Sequence, residues 1–525
     1  MPKCTIDGRQ IEVEAGTTVI VAAERLGIEI PHFCWHPDLP VDGNCRMCLV
    51  EIEKMPKLQI ACNTQVTEGM VVLTKSPKAT EAHRTTLEFL LVNHPIDCPV
   101  CDQAGECYLQ DTYMAHGLTD SKVEIEDKVR KRKVMDLGPI LLDAERCVLC
   151  SRCIRFEREV TKTNLFQFVA RGDRTQIATY RYGSVDHQYS GNLADVCPVG
   201  ALLSRDFRFK MRVWFLKEHL SICPGCSTGC NVFVDERDGE VQRLRPRRNP
   251  DVNRSWMCDP GRALYKTIAE PDRVKAARVR TTSGSETIAL SEALDRVAEA
   301  LRGAGRRAAF LASPQCSNED LFAFRRLAET VAGRLDFRVG SPEKRVQERL
   351  DEVLQRADRN PNTQGCIDLG LGRDGVDAIL AAAGSGELSV LVLQSPELLR
   401  LAAASDAIAK VGLVVVFATH DEPALEKAHV VLPAALWAES EGTFTNFARR
   451  IQRTWAAVPA PGDATARWEL AASLLKRLGS PLEAATPREV FSLLARTVPD
   501  YRDLDYKALG GRGVDLTAKP EPVQV

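Results

Sequence analysis

Sixteen of the 18 cysteines in this chain of 525 residues fall between Cys4 and Cys258, and only Cys316 and Cys366 lie beyond them. A stretch so rich in thiols is held together by disulfides or by metal ligation, and the compartment decides which. The start, MPKCTIDGRQ, has neither a basic region followed by an apolar stretch nor a small-residue cleavage site, so export is not expected. The expected location is the cytoplasm or an equivalent reducing compartment, where thiols stay free to bind metal. Buried structural cysteine is the alternative, and spacing must choose. The balance of 69 Lys plus Arg against 71 Asp plus Glu gives a net charge of -2, which argues against a nucleic-acid or anionic-membrane binder acting through bulk charge. No apolar run reaches the roughly 18 residues of a membrane span. At about 100 to 200 residues per domain the length predicts roughly three to five folded units.

The thiols resolve into four sets. Cys34, Cys45, Cys48 and Cys62 place a C-x2-C pair between two single cysteines in a strand-rich region, the arrangement of a ferredoxin-type [2Fe-2S] site. The first gap is longer than the plant-type spacing, so a four-thiolate zinc site stays open. His94, Cys98, Cys101 and Cys107 read H-x3-C-x2-C-x5-C. Three close thiolates leave one vertex of a [4Fe-4S] cube for an imidazole, although a lone histidine is more often an ordinary surface or core residue. Cys147, Cys150 and Cys153 form C-x2-C-x2-C, and Cys197 is followed by Pro198. Three cysteines at three-residue intervals let one loop face three vertices of a cube, whereas zinc sites use separated pairs. Cys223, Cys226, Cys230 and Cys258 again give three close cysteines and a distant fourth, which suits a cube with zinc as the alternative. One binuclear cluster and three cubes make about 14 irons. Cys4, Cys316 and Cys366 are left over and read as small buried hydrophobes. Several clusters in one chain have an evident use in passing single electrons between separate sites.

Around these sets the chain has three textures. The first eighty residues suggest a small mixed sheet on one helix: KCTID and QIEVE flank the Asp7-Gly8 turn signal, VIVAAERLG is helical after Thr17 or Thr18, and LVEIE, QIACN and MVVLT are strands. Helical spacing from Thr80 to about Asn93 ends at His94-Pro95, which puts His94 at a helix exit. Residues 119–215 are irregular, with the basic run KVRKRK at 128–133 read as a solvated face. After Cys258, AAFLA (308–312), LSVLVL (388–393), LVVVFA (413–418) and HVVLP (429–433) alternate with helices and predict a parallel sheet covered by them. Ser317 with Asp320 can open the helix that ends at Gly333. Gly370 to Gly375 spell G-x-G-x-x-G without a convincing preceding strand, so a loop is expected there rather than a dinucleotide site. Residues 510–525 read as a loose tail. Chemistry on a substrate has no visible home in the chain.

The four sets in this order closely resemble the large iron-sulfur subunit family of respiratory complex I, the bacterial NADH-quinone oxidoreductases. The segment at 429–452 looks like part of the molybdopterin oxidoreductases, with Glu441, Gly442, Thr443, Asn446, Arg450 and Gln452 fitting E-G-T-x-x-N-x-x-x-R-x-Q. The resemblance implies a multi-domain chain of α+β and α/β type. A β-grasp, ferredoxin-like [2Fe-2S] domain would cover 1–78, a [4Fe-4S] domain with one histidine and three cysteine ligands 79–118, and a four-cysteine [4Fe-4S] domain 119–215. A [4Fe-4S] domain of the Mo/W bis-MGD type would cover 216–272, followed by a degenerate molybdopterin oxidoreductase-like α/β domain at 273–525. It assigns Cys34, Cys45, Cys48 and Cys62 to the binuclear cluster, His94, Cys98, Cys101 and Cys107 to the first cube, and Cys147, Cys150, Cys153 and Cys197 to a cube on the same path. The set Cys223, Cys226, Cys230 and Cys258 would lie off the path and be structural. Electrons would come from NADH through FMN on a partner subunit and leave towards quinone through iron-sulfur subunits of the quinone module. Membrane contact would be through those partners only, on the cytoplasmic side. Residues 273–525 show no molybdenum-binding Cys or Ser motif, so no molybdenum cofactor is expected. NAD-linked formate dehydrogenases and iron-only hydrogenases share the array. The former have a far longer catalytic portion, and the latter carry a second C-x2-C-x2-C run that is absent here. A zinc-stapled structural protein is the alternative of a different class.

Overall fold

A computed structural model describes residues 1–117, 128–282 and 284–517. Its contacts divide the chain into two units, Met1–Leu216 and Lys217–Val525.

The first unit starts from a hairpin. Asp7 and Gly8 adopt φ of 45° and 81°, the left-handed pair that a tight hairpin turn requires, and Lys3–Ile6 pairs antiparallel with Arg9–Glu12. Lys3–Ile6 also pairs parallel with Met70–Leu73, which continues to Leu49–Ile52 and Gln59–Ile60 in a five-stranded mixed sheet. The helix Val19–Arg25 buries Val19, Ile20, Ala22 and Ala23 against Ile6, Val50, Ile52 and Val72 of that sheet. A second helix, Pro77–Leu91, begins where the Ser76 hydroxyl accepts a hydrogen bond from the Ala79 amide and Pro77 takes the first helical position. Its exit carries His94, whose amide donates to the Leu91 carbonyl. A 3-10 turn at Cys98–Val100 and the helix Tyr108–His116 follow. Beyond residue 127 the elements are short. A three-stranded sheet joins Met135–Asp136, Ile140–Leu142 and Leu202–Ser204, and the helices Arg152–Phe156 and Asn192–Val196 carry the next cysteines. The basic run is not simply a solvated face: Lys128 and Lys131 donate to the carbonyls of His94 and Thr175, and Lys133 pairs with Glu145.

The second unit opens with the antiparallel strands Lys217–Ile222, Asn231–Arg237 and Glu240–Pro246. Its main element is a seven-stranded sheet, ordered Gly284–Ile288, Ala277–Thr281, Val430–Pro433, Leu413–Ala418, Val390–Leu393, Ala308–Leu311, Arg334–Asp336. The last five strands run parallel, as the alternation of apolar strands and helices predicts. Alternate residues feed two cores: Phe310 and Val392 enter one, Leu311 and Leu393 the other. Ser317 and Asp320 form the expected capping box of the helix Asn318–Val331. The Gly370–Gly375 motif connects the helices Thr363–Asp368 and Val376–Gly384 and follows no strand. One expectation is corrected: residues 510–517 are not loose, because Val514–Asp515 pairs with Arg450–Thr454 in a third sheet that includes Gly442–Thr445. Residues 518–525 lie outside the described part. Cys4, Cys316 and Cys366 are buried within apolar cores at 3%, 2% and 0% exposure. No helix among the described residues is long and apolar enough to cross a membrane.

Candidate metal centres

The cysteines of each sequence set lie near one another in space. In the first, Cys34 follows the helix Val19–Arg25, Cys45 and Cys48 precede the strand Leu49–Ile52, and Cys62 follows Gln59–Ile60. The Ala61 amide donates to the Cys48 carbonyl at 2.9 Å, tying the last two cysteines together. The thiols form two close pairs: Cys34 is hydrogen-bonded to Cys45, and Cys48 to Cys62. Within the first pair, the hydrogen bond from Cys34 lowers the Cys45 thiol below its ordinary value. Two pairs of sulfurs suit two irons with two protein ligands each.

In the second set, the turn Cys98–Val100 puts Cys98 and Cys101 on one side, and Cys107 caps the helix Tyr108–His116. The Cys107 thiol feels the charge of both Cys98 and Cys101. His94 is the informative residue. Burial drives its imidazole down to about 4, so the ring is neutral at pH 7, and its Nδ1 is buried without a hydrogen-bond partner. A buried, unpaired ring nitrogen costs stability unless something ligates it. A neutral imidazole nitrogen of this kind could hold a metal.

In the third set, Cys147, Cys150, Cys153 and Cys197 line one small cavity with Val148, Ile177, Val199 and Leu202. Leu149 and Ser151 adopt φ of 56° and 61°. Left-handed backbone at two non-glycine residues stores strain, and here it turns three sulfurs of one loop inward. Cys197 stands in extended backbone, as a residue before proline prefers. Burial pushes the Cys147 and Cys197 thiols up to about 12. Such thiols ionise only when a strong positive charge joins them, which an iron core provides.

The fourth set, in the second unit, surrounds a cavity of about 70 Å³ lined also by Gly225, Met257 and Gly261. The Cys223 amide donates to the Cys230 carbonyl at 2.8 Å, closing the loop that carries three of the sulfurs. A side chain on Gly261 would put its Cβ 3.0 Å from the Cys223 sulfur and 3.3 Å from that of Cys258. The E-G-T segment, read from sequence only as a family mark, holds this loop. Asn446 donates to the carbonyl of Thr228, and Gln452 to that of Gly229, at 3.1 and 3.0 Å.

Among the described residues, the one group of three His, Cys, Asp or Glu donors all within 4.8 Å of one another is the largely exposed Glu270, Asp272 and His420.

The first three sets also share one apolar core. Phe33, Met47, Leu87, Leu109, Val148 and Val199 pack there with Cys34 and Cys150 buried among them and Cys45, Cys107, Cys147 and Cys197 at its margin. Polar links run from the third set to each of the others. Arg155 and Arg152 donate to the carbonyls of Cys34 and Trp35. On the other side the Tyr108 amide donates to the Pro198 carbonyl, and Arg146 pairs with Asp97 at 2.7 Å. Sequence reasoning missed these arginines. Their targets are backbone oxygens or residues far away in the chain, which no local motif reveals.

Comparisons agree with the order of the sets. The chain matches "2Fe-2S iron-sulfur cluster binding domain" over residues 3–77, "NADH-ubiquinone oxidoreductase-G iron-sulfur binding region" over 83–122, and "NADH-quinone oxidoreductase subunit 3, ferredoxin-like domain" over 138–203. It then matches "Molybdopterin oxidoreductase Fe4S4 domain" over 216–270 and "Molybdopterin oxidoreductase" over 352–477. The NADH-quinone oxidoreductase G subunit of Streptomyces coelicolor is 41% identical over 339 residues, 64% of this chain and 40% of that protein. The second G subunit of Rhizobium meliloti is 42% identical over 333 residues, 63% of this chain and 39% of that one. The Rickettsia bellii G subunit is 40% identical over 303 residues, 58% and 44%. The match thus spans less than half the length of these curated relatives. Among solved structures, a chain of an NAD+-reducing [NiFe]-hydrogenase in the H2-reduced state is 31% identical, covering 40% of this chain and 91% of that one with a TM-score of 0.37. The chain carries 2Fe-2S and 4Fe-4S binding domains ahead of a domain of molybdopterin oxidoreductase type, and over the matched residues it is a homologue of the NADH-quinone oxidoreductase G subunits.

Proposed function

We propose that the chain is an electron-relay subunit of an NADH:quinone oxidoreductase, with one binuclear cluster at Cys34, Cys45, Cys48 and Cys62 and three cubes at the other sets. The iron-sulfur clusters bound there supply one-electron oxidation and reduction. The chain's own residues hold the clusters close, exclude water from the space between them and fix the local charge. The observation that carries this reading is the single apolar core shared by three of the four sets. The links across that core support an order for the path. The set at Cys147, Cys150, Cys153 and Cys197 touches both others, so electrons cross from the binuclear site through this cube to the one at His94, Cys98, Cys101 and Cys107. The fourth set belongs to the second unit and serves its folding. NADH oxidation on a flavin-bearing subunit and quinone reduction beyond the last cube are the tasks of partners, which also make the membrane contact on the cytoplasmic side.

The test is to count iron, acid-labile sulfide and zinc per chain after anaerobic purification. About 14 irons with matching sulfide is the expected result. Four or fewer irons with stoichiometric zinc would replace the relay by a metal-stapled scaffold. Within the assembled complex, Cys150→Ala should abolish NADH-to-quinone turnover, and normal turnover without that cube's signal would remove it from the path. Cys226→Ala should instead lower stability, because a lost cluster takes its binding free energy out of folding.

A further inference from the structure

Two arginines of the helix Arg152–Phe156 are fixed between cysteine loops that lie more than a hundred residues apart in sequence. Arg155 is 3% exposed. Its Nη2 donates to the carbonyl oxygen of Cys34 and, at 3.3 Å, to that of Cys150; Nη1 donates to the Pro40 carbonyl, and Nε to the Ser151 hydroxyl at 3.0 Å. Ser151 passes its own hydrogen bond to the Asp42 carboxylate. Arg152 repeats the pattern, donating to the carbonyls of Trp35 and Val196, the neighbours of Cys34 and Cys197, while its Nε is buried without a partner.

The partners of Arg155 are neutral oxygens. Among the described residues the carboxylate facing it is Asp42, on an exposed loop, which acts on it through space and is joined to it through the Ser151 hydroxyl without a direct hydrogen bond. A buried guanidinium is always charged and expensive to desolvate, and carbonyl and hydroxyl oxygens alone do not offset that cost. Apolar side chains of similar volume would fill the same space without it. A cation kept in such a place calls for negative charge close by. Thiolate-ligated clusters carry it, and the guanidinium bonds the backbone of one proposed ligand from each of two of them.

We propose that Arg155 is the shared counter-charge of the binuclear cluster at Cys34 and the cube at Cys150, a positioning residue that stabilises the reduced form of both. Reduction adds one electron to a cluster. A fixed positive charge beside it favours that added charge, so both clusters become easier to reduce, and the electron passes between two levels raised together. The proposal rests on the reading of these cysteines as cluster ligands.

The test is an EPR-monitored redox titration of the full chain with its clusters in place. Arg155→Met should lower the reduction equilibrium constant of both clusters about tenfold, a shift of 59 mV for a one-electron couple, while Arg155→Lys, which keeps the cation, should hold both near the unmodified values. Arg158→Gln, on the exposed continuation of the same helix and paired there with Glu159, is the control and should move neither. A purely structural role would cost cluster content without shifting the potentials of the clusters that remain. A shift in one cluster alone, or in neither, would overturn the proposal. If Arg155→Met fails to retain clusters, Asp42→Asn decides. Removing the anion on the far side of the guanidinium should raise both potentials, and an unchanged pair would refute the shared charge. Absence of both cluster signals from the unmodified chain would instead remove the reading of the cysteine sets on which the proposal stands.

Discussion

At Gly200 a single methyl group would collide with a proposed ligand. A Cβ there would lie 2.5 Å from the Cys101 sulfur and 3.1 Å from the Gln103 Cβ, so the loop after Cys197-Pro198 approaches the second cysteine set with no room to spare. Overpacking of this kind costs about 1–3 kcal/mol where the neighbour cannot move. A sulfur bound to iron cannot. Gly200→Ala should therefore reduce the content of the cube at His94, Cys98, Cys101 and Cys107 and leave the fourth set intact, whereas Gly261→Ala should do the reverse. The check is iron content together with the EPR signals of each cube. Equal loss of all signals in Gly200→Ala would point to general misfolding and away from a local collision. His94 shows how far sequence reaches at this scale. Its position before three cysteines nominated it as a ligand, and its buried, unpaired nitrogen is the feature that only coordinates supply. Arg155 is the opposite case: nothing about an arginine in RCIRF marks it, because its partners Cys34 and Pro40 are 121 and 115 residues away.

Local chemistry announces some elements in full. The hairpin at Asp7-Gly8, the capping box of Ser317 and Asp320 and the four apolar strands of the parallel sheet each depend on neighbours in sequence, and the structure contains them where the pattern predicts. The short elements between 128 and 216 were illegible for the converse reason: strands of two to four residues and helices of five are too brief to show a period. The strand Val514–Asp515 was missed likewise, since two residues are too few to show a period and the strand is visible only in its pairing with Arg450 and Ile451. The segment Gly442–Thr454 combines both lessons. Its pattern was recognisable, but its task was not: Asn446 ties the cysteine loop at Thr228 to this hairpin, and its side-chain oxygen accepts from the amides of Ala448 and Arg450 at 3.0 and 2.9 Å. Asn446 is 2% exposed. Asn446→Ala would strand a carbonyl and two amides in the interior, at about 1–3 kcal/mol for each buried group left unpaired. The expected outcome is a lower unfolding temperature for the second unit and a weakened fourth-cluster signal, with the other three signals unchanged. A stable chain with an intact fourth cluster would show that the loop holds itself.

At the scale of the molecule, each of five apolar cores among the described residues belongs to one unit. The core on the helix Val19–Arg25 and the one among the first three cysteine sets draw only on residues before 217. Both faces of the seven-stranded sheet, and the core beneath the fourth set, draw only on residues after it. Sequence anticipated this division in a coarse way, because the cysteine-rich texture gives way to Ala- and Leu-rich alternation, although the fourth set falls on the far side of the boundary. A unit with an apolar core built from its own residues meets one physical requirement for folding alone. Metal content makes the consequence measurable. Expressed separately, residues 1–216 should hold about ten irons and residues 217–525 about four, each with matching sulfide. The first half should show the binuclear and two cubane signals, and the second half one cubane signal together with cooperative unfolding. Iron lost from the first half alone would mean that its three sets need the second unit to complete them. Iron kept in both halves would separate the relay from its scaffold and let the potentials on the path be measured without the fourth cluster.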